Sequence, residues 1–416
     1  MRSDLAAVFR RESGRCTATL IRILGDIDLA EDAVAEAFLI AAEQWPTQGL
    51  PPNPGGWITT TARRKAIDRL RREATRTDRY VAAYRTAETE PMTHDPDAAE
   101  LDALVDAVPD DQLRLLFLCC HPALHPDAQT ALTLRLLGGL EVPEIARAFL
   151  TTDATMNKRI GRAKRKLRDN RAPYRIPRSA ELPERLGVVL TAIYLIFNEG
   201  HTATAGDDVN RPALTAEAIR LGRMVSELMP DEPEAVGLLA LMLLTDARRP
   251  ARIGEGGELI RLSDQDRSRW DRSLINGGHE LVRQCLRRNQ PGPFQIQAAI
   301  AAVHTDAAAA ADTDWHQIVT LYDLLLHHQP TPIVALNRAI ALAELEGPAA
   351  GLFTLDELGE SLDHYAPFHA TLADLLMRAG RSADAVVAYD RAIELTNNSA
   401  EQSFLRRQRA FATAAH

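Results

Sequence analysis

Two basic, helix-forming segments about a hundred residues apart constrain this chain more than any other feature. The first is WITTTARRKAIDRLRREATR, residues 57–76, and the second is TDATMNKRIGRAKRKLR, residues 152–168. In both segments apolar residues recur every three or four positions while Arg and Lys occupy the other side, which predicts amphipathic helices. Two cationic helices in one chain suit a protein that grips a nucleic-acid duplex at two places.

The net charge of the whole chain is negative although these two segments are basic. Residues 1–178 contain 27 Lys+Arg and 25 Asp+Glu, whereas residues 179–416 contain 21 and 32, so the second part supplies the net charge of −9. Local clusters of positive charge matter more for DNA binding than the total does. We therefore place the nucleic-acid contacts in the first part of the chain.

Cysteine usage and hydropathy indicate the compartment. The four cysteines, Cys16, Cys119, Cys120 and Cys285, are too few and too scattered for a disulfide framework, which indicates a reducing environment. The N-terminus has no signal-peptide apolar core, and the longest nearly apolar run, residues 188–197, is too short to span a bilayer. We expect a cytoplasmic protein without a membrane partner.

The second basic segment completes a predicted helix-turn-helix. A short helix is predicted over residues 144–150, and Thr152 is a suitable N-cap for the helix that follows. Four apolar residues fall on one face of that helix, and the opposite face is basic. The apolar residues are Met156, Ile160, Ala163 and Leu167. Such a helix can enter a major groove, whereas an ordinary solvated helix is disfavoured by the preceding helix, cap and turn.

The first basic segment follows a loop rich in Pro and Gly, residues 47–56, which we predict to be non-helical. Ala62, Ala66, Ile67 and Leu70 form its predicted buried stripe, and Trp57 stands at its start. A basic helix beside an aromatic residue and a loop suits unstacked, single-stranded DNA. The alternative for Trp57 is a place in the core.

An acidic helix precedes this loop. Asp28 and Glu31 form a predicted capping box at its start. Apolar residues at helical spacing predict a buried face, and Glu31, Asp32, Glu36 and Glu43 occupy much of the remainder. The predicted stripe consists of Ala30, Ala33, Val34, Ala37, Phe38, Ala41 and Trp45.

The rest of the chain predicts an all-α fold. A polar stretch, residues 73–100, and the APYRIP connector, residues 172–177, separate helical blocks. Residues 368–397 match the small and apolar positions of a tetratricopeptide repeat, although His369 stands where that motif has Trp. Irregular helical hairpins are expected from residue 179 onward, and a plain helical bundle is the alternative.

Two clusters invite a chemical interpretation that we consider weaker than a structural one. Cys119, Cys120, His121 and His125 could bind zinc, but they lie in an apolar run and no second pair of cysteines accompanies them. The residues Asn198–His201 could form an acid-base pair, but they follow an apolar helix, for which Gly200 is a predicted C-cap. No metal, cofactor or catalytic residue is expected.

Three segments together resemble extracytoplasmic-function sigma factors of bacterial RNA polymerase. They are DIDLAEDAVAEAFLIAAEQW (26–45), WITTTARRKAIDRLRRE (57–73) and LEVPEIARAFLTTDATMNKRIGRAKRKLR (140–168), in the order of sigma regions 2 and 4. DDQLRLLFLCCHPALHPDAQTALTLR (110–135) and YLIFNEG (194–200) are similar to one subgroup, whose members carry a tetratricopeptide-like C-terminal extension. Glu141 and Pro143 depart from the family pattern, which has Ser and Glu there.

The resemblance implies a domain order. It is region 2 at 1–75, a flexible linker at 76–100, region 4 with its helix-turn-helix at 101–170, a connector at 171–178 and the extension at 179–416. It also implies core RNA polymerase, through the β′ clamp and the β flap, and promoter DNA as partners. A protein or ligand partner of the extension is a further expectation.

The resemblance also implies roles for individual residues. Docking on the β′ clamp is implied for Glu31, Asp32, Glu36 and Phe38. Recognition and melting of the −10 element are implied for Gln48, Asn53, Trp57, Arg63, Arg64, Lys65, Asp68, Arg69 and Arg72. Recognition of the −35 element is implied for Thr155, Asn157, Lys158, Arg159, Arg162 and Lys166.

Two alternatives remain open at this stage. The chain could be a DNA-binding activator that is not a polymerase subunit, or a tetratricopeptide scaffold with a DNA-binding head. The acidic helix next to a helix suited to strand opening favours a sigma factor, because an ordinary activator needs no strand-opening domain. No nucleotide-binding loop or nucleophile elbow is present, so an enzyme is not expected.

Overall fold

The computed structural model describes residues 2–81, 108–149, 151–178, 180–203, 205–206, 210–254 and 258–415. These residues form two compact units, Met1–Ala192 and Ile193–His416. The predicted all-α fold is confirmed in both, and one pair of two-residue strands is added in the second unit.

The described part of the first unit is built from amphipathic helices. Their bounds are α1 Arg2–Leu24, α2 Ile27–Gln48, α3 Pro54–Val81, α4 Val108–Cys119, α5 Pro126–Leu136, α6 Val142–Ala148 and α7 Asp153–Asp169, followed by α8 Leu182–His201, which contains the unit boundary. All seven residues of the predicted α2 stripe are buried, as are all four of the α7 stripe. On α3 the predicted stripe holds only in part, because Leu70 is 44% exposed.

Three local predictions need correction. The N-cap of α2 is Asp26, whose side chain accepts a hydrogen bond from the Leu29 amide at 2.9 Å, so Asp28 is free for other contacts. The Pro/Gly segment is helical at both edges, because α2 runs through Pro46 to Gln48 and α3 begins at Pro54. Proline is accepted at the start of a helix, where its missing N–H costs nothing. Helix α3 also covers residues 76–81 of the predicted linker, and residues 82–100 lie outside the described residues.

Helix α1 joins the two halves of the first unit. The guanidinium of Arg22 lies 2.9 Å from the carboxylate of Asp111, which is completely buried at the start of α4. Gly14 provides a second contact, since a Cβ there would lie 2.5 Å from the Leu137 carbonyl oxygen. The hydroxyl of Tyr174 lies 2.6 Å from the Ala18 carbonyl oxygen and 3.1 Å from that of Asp111. Regions far apart in sequence therefore share one core.

In the described part of the second unit, consecutive helices pack as hairpins. Their bounds are α9 Pro212–Leu228, α10 Pro233–Asp246, α11 Arg272–Arg288, α12 Pro293–Asp306, α13 Trp315–His328, α14 Pro332–Glu346, α15 Pro348–Leu362, α16 Ala366–Arg378, α17 Ser382–Leu395 and α18 Ser399–Ala414. Short 3-10 turns, η1 Arg249–Ala251, η2 Leu262–Asp264 and η3 Arg267–Arg269, connect α10 to α11, and η4 Ala310–Asp312 precedes α13.

The predicted tetratricopeptide-like segment is the α16–α17 hairpin. Its turn contains Gly380 at φ +74°, a conformation that favours glycine. Ala385, Tyr389 and Ala392 are buried at the predicted small and apolar positions, and His369 is buried where the repeat has Trp. Strand β1 (Ala205–Gly206) pairs in parallel with β2 (Asn397–Asn398), near the end of the unit.

Candidate nucleic-acid interface

Helix α7 presents a basic face to solvent. Its N-cap is Thr152, whose hydroxyl accepts a hydrogen bond from the Thr155 amide at 3.2 Å, as predicted. The four-residue apolar stripe anchors the opposite face in the core. Five of the six residues predicted to read the −35 element line one open cleft of about 510 Å³ beside the start of α5. They are Thr155, Lys158, Arg159, Arg162 and Lys166, and Asn157 is also exposed.

The helix preceding α7 shows why the unusual residues at its start are tolerated. The backbone amide of Glu141 donates a hydrogen bond to the Glu144 carboxylate at 2.7 Å. This is the capping-box bond in which a carboxylate three residues on accepts from the N-cap amide, and it takes the place of a bond from an N-cap side chain. Pro143 occupies the first turn of α6. The Thr151 amide then donates to the Ala146 carbonyl at 2.9 Å and closes the turn between the two helices.

The loop before α3 is short and fixed at one end. The side chain of Asn53 accepts a hydrogen bond from the Gly56 amide at 2.9 Å, so this residue caps α3. Gln48 is exposed at the end of α2. Trp57 is half-buried and meets the buried Trp45 edge to face, with ring centroids 5.4 Å apart. Trp57 thus lies at the border between the core and the surface beside this loop.

The basic residues of α3 lie beside the acidic residues of α2. Lys65 Nζ is 3.2 Å from Glu36, and Arg69 Nη1 is 2.9 Å from Asp32. All four side chains are more than a third exposed, so each pair contributes at most about 1 kcal/mol. Arg64 and Asp68 are exposed and Arg63 is half-buried. The side chain of Arg72 lies outside the described residues.

The acidic residues at the start of α2 face the end of α7. Lys164 Nζ lies 2.8 Å from Asp28 and 2.5 Å from Glu31. Arg168 is 2.5 Å from Asp28, and Arg135 Nε is 2.8 Å from Glu31. Asp28 and Glu31 are therefore paired with basic residues from the other half of the unit. Sequence reasoning missed this arrangement.

The electrostatics of this contact favour ion pairs. For Asp28, burial opposes ionisation, but the hydrogen bond and charge of Lys164 and the charge of Arg168 outweigh it and lower the pKa. For Lys164, burial opposes the charge, but Glu31 and Asp28 outweigh it and raise the pKa. Both groups are thus held in their charged forms.

Phe38, for which the resemblance implies docking, lies in the core of this structure. Its side chain is 6% exposed and packs edge-on against Phe9, with ring centroids 4.7 Å apart. A buried aromatic ring stabilises α2 against α1 and offers no surface to a partner. Of the residues assigned to docking, Asp32 and Glu36 are exposed, whereas Glu31 is half-buried in its ion pairs.

The other two clusters fit structural roles. Cys119 and Cys120 are completely buried, and burial raises the pKa of both thiols, that of Cys120 to about 12. Gly200 is not a C-cap, because α8 continues to His201. A Cβ on Gly200 would lie 2.5 Å from the Thr215 amide nitrogen, so glycine permits a close approach to α9. Glu199 forms an ion pair with Arg211.

Comparison with known proteins agrees with this geometry. The model of Sigma-70 region 2 matches residues 8–76, that of Sigma-70 region 4 matches residues 114–167, and a family of unknown function (DUF6596) matches residues 185–286. An uncharacterized protein of Rhizobium meliloti (strain 1021) is 41% identical over 410 residues, which cover 97% of this chain and 94% of that protein. The probable ECF RNA polymerase sigma factor SigI of Mycobacterium tuberculosis is 28% identical over 173 residues, which cover 40% of this chain and 55% of that protein.

Among solved structures, a thermophilic tetratricopeptide protein of Thermus thermophilus has a TM-score of 0.36 and 17% identity, covering 49% of this chain and 92% of that one. No helix in the described part of the chain is long and apolar enough to cross a membrane.

Regions 2 and 4, in this order and with basic helices at α3 and α7, define a promoter-specificity subunit that works with core RNA polymerase on promoter DNA. The chain belongs to the extracytoplasmic-function sigma factors, and it carries a C-terminal extension of helical hairpins.

Proposed function

We propose that this sigma factor docks on the β′ clamp of core polymerase through the exposed acidic residues of α2 and on the β flap through region 4. Asp32 and Glu36 support this assignment, because both are accessible and project from the side of α2 opposite its buried stripe. Glu31 joins this surface once its contacts with Arg135 and Lys164 open.

The −10 element is read and opened by α3 together with the loop before it. The basic side chains of Arg64 and Lys65 hold the backbone, and the loop from Gln48 to Asn53 receives an unstacked base beside Trp57. The −35 element is read in the major groove by α7. The open basic cleft along Lys158 and Arg162 carries this proposal, because it combines exposed cations with a rigid, capped helix.

The domain limits follow from the same assignment: region 2 at 1–75, whose last helix α3 continues to Val81, region 4 at 101–170, a connector at 171–178 and the extension from 179. The extension holds the sigma regions in an active arrangement and provides a docking surface. The protein works in the cytoplasm on the nucleoid and catalyses no reaction of its own.

Run-off transcription with core polymerase and no other sigma factor tests the main proposal. DNA crosslinked to the protein in cells, once sequenced, supplies the templates. Specific transcripts are expected from the full chain plus core enzyme. Transcripts that form only when a second sigma factor is added would show an activator instead.

A chain that ends at Thr202 tests the role of the extension, because it retains Tyr174 and all of α8. Loss of transcription by this chain, with unchanged helix content in region 2 and region 4, supports the proposed role. A gain of transcription over the full chain would indicate an inhibitory extension.

A further inference from the structure

The second unit contains an arginine side chain for which the described residues supply no hydrogen-bond acceptor and no carboxylate. Arg248 is half-buried in the turn between α10 and η1. The nearest carboxylate on its own segment, Asp246, is already 2.9 Å from Arg249. A guanidinium taken partly out of water normally requires an anion or several acceptors to offset its lost hydration.

Two arginines and one tyrosine act on the charge of Arg248. Burial, followed by the charges of Arg252 and Arg267, lowers the pKa of Arg248 to about 10, while Tyr322 opposes that shift. A group with this pKa still carries its proton at neutral pH. The positive charge therefore persists in an environment that disfavours it.

The neighbouring arginines are held by neutral acceptors. Arg252 donates to the His201 carbonyl oxygen and, at 3.1 Å, to the Thr202 hydroxyl. Arg267 is 7% exposed, donates to the carbonyl oxygens of His304 (2.8 Å) and Ala307 (2.6 Å), and stacks 4.8 Å from the centre of the Trp270 ring. These bonds fix each guanidinium in place and leave its charge uncompensated.

Acidic groups lie near this cluster without neutralising it. Glu401 and Asp246 act on Arg252 from a distance, and Asp312 acts on Arg267. Among the described residues none of these carboxylates forms an ion pair with Arg248, Arg252 or Arg267. The cluster thus keeps excess positive charge inside a region whose sequence is acidic overall.

Two neutral imidazoles adjoin the arginines. Burial and the neighbouring arginine charges lower the pKa of His201 to about 2 and that of His304 to about 4. In both rings Nδ1 is buried and has no hydrogen-bond partner among the described residues. His304 also meets Trp315 edge-on, with ring centroids 5.3 Å apart. Neutral imidazoles can serve as donors to a ligand without adding charge.

We propose that Arg248, Arg252 and Arg267, together with His201 and His304, form a binding site in the extension for a small anion with carboxylate or phosphate groups. The planar guanidinium fork matches both groups and binds them with two parallel hydrogen bonds. A small ligand fits better than a nucleic acid, because Arg267 is buried and Arg248 and Arg252 are half-buried. An anion in this site supplies the missing counter-charge and links the state of the extension to a metabolite.

Thermal unfolding of the full chain tests this site. Inorganic phosphate and citrate, each at millimolar concentration, serve as probes, and sodium chloride of equal ionic strength corrects for non-specific salt effects. We expect one probe to raise the unfolding midpoint saturably, by roughly 5–10 °C at about a hundred times its dissociation constant. A response to phosphate identifies a phosphate-bearing ligand, and a response to citrate identifies a carboxylate.

Arg248→Gln provides the decisive comparison, with Arg223→Gln, an exposed arginine of α9 in the same unit, as the matched control. We expect Arg248→Gln to abolish the saturable response without lowering the midpoint in plain buffer, because it removes an uncompensated charge. Arg223→Gln should respond like the unmodified chain. The proposal is overturned if neither probe gives a saturable shift, if Arg248→Gln keeps the shift, or if that variant alone unfolds earlier in plain buffer, which would indicate a structural arginine.

Discussion

Lys164 of α7 lies 2.8 Å from Asp28 at the start of α2. In the proposed assignment this contact joins two regions that act on promoter elements two to three helical turns apart, or roughly 70–100 Å at ~34 Å per turn. A compact unit of 192 residues has a diameter of roughly 40 Å by size scaling. We therefore expect the two regions to separate when the protein binds a promoter, and we expect the ion pairs between α2 and α7 to stabilise the compact arrangement until then.

Removing the acids of this contact should open the first unit. Asp28→Asn with Glu31→Gln removes the carboxylates that pair with Lys164 and Arg168, and it leaves Arg135 paired with Glu141. Fluorescence energy transfer between labels on Glu43→Cys and Asp169→Cys, both exposed positions, is expected to fall. The control is Asp32→Asn with Glu36→Gln, which removes two acids from the same helix that pair, among the described residues, with α3. An equal signal from both double variants would contradict this role for the α2–α7 contact.

The energy transfer between these two labels should be insensitive to pH across the physiological range. The pKa of Asp28 is lowered, so its contribution is complete above the unfolded value of about 3.9 and is lost as the pH falls through the lower folded value. The pKa of Lys164 is raised, so its contribution is complete below about 10.4 and is lost as the pH rises through the higher folded value. Energy transfer should stay constant from about pH 5 to pH 10. A transition near neutral pH would show that another group controls the contact.

Charge reversal on the outer side of α2 should weaken docking. Asp32→Lys with Glu36→Lys places positive charges on the surface assigned to the β′ clamp and costs little stability, because the ion pairs that both residues form in the described part of the chain are exposed. We expect loss of co-elution with core polymerase and a normal circular dichroism spectrum. Glu43→Lys, on the same helix outside the assigned surface, should co-elute normally. Undiminished co-elution of the double variant would exclude this surface.

Alanine substitutions in α3 and in α7 should cause different defects in promoter binding and opening. Lys158→Ala with Arg162→Ala should weaken binding to the −35 element by about 1–3 kcal/mol for each lost base contact. Arg64→Ala with Lys65→Ala should leave that element bound and prevent opening of the −10 element. Permanganate footprinting detects the opened thymines, and filter binding on duplex DNA measures −35 recognition. Normal opening by the Arg64/Lys65 variant would contradict the assignment of α3.

Gly14 should be irreplaceable where α1 meets the end of α5. In Gly14→Ala the new methyl group would lie 2.5 Å from the Leu137 carbonyl oxygen, and relieving such overlap typically costs about 1–3 kcal/mol. Gly161→Ala is the control, because nothing lies within 4 Å of its Cβ position, and a helical Gly→Ala change stabilises by up to about 1 kcal/mol. The urea concentration at the unfolding midpoint should therefore fall for Gly14→Ala and rise for Gly161→Ala. A shift of Gly14→Ala towards higher urea would show that the two helices separate readily.

The helices and their buried faces could be read from the sequence, because apolar residues with a period of 3.6 have one way to reach a core. This logic correctly placed Trp45 at the end of the α2 stripe and Met156 at the start of the α7 stripe. It also placed Phe38 in the α2 stripe, where the side chain is buried.

The contact between Asp28 and Lys164 could not be read in this way. The two residues are 136 positions apart, and each occupies an ordinary charged position on an amphipathic helix. Their pairing depends on how α1 positions α4 and α5, which follows from contacts such as Arg22 with Asp111. The cap of α2 was misplaced by two residues because the spacing of Asp28 and Glu31 matches a capping box, whereas Asp26 caps the helix and both acidic side chains pair with Lys164.

The strand pair in the second unit changes how its helical hairpins come apart. A row of stacked hairpins contacts only its neighbours and can fray from a free end. Here Ala205–Gly206 bonds to Asn397–Asn398, and the buried Asn398 side chain donates to the Ala203 carbonyl oxygen at 3.1 Å while its oxygen caps α18 through the Ala400 amide at 3.0 Å. The strand pair thus bonds the segment between α17 and α18 to the segment that precedes α9. We therefore expect that peeling the final helix away loosens the beginning of the array as well, and that the extension unfolds as one cooperative body rather than repeat by repeat.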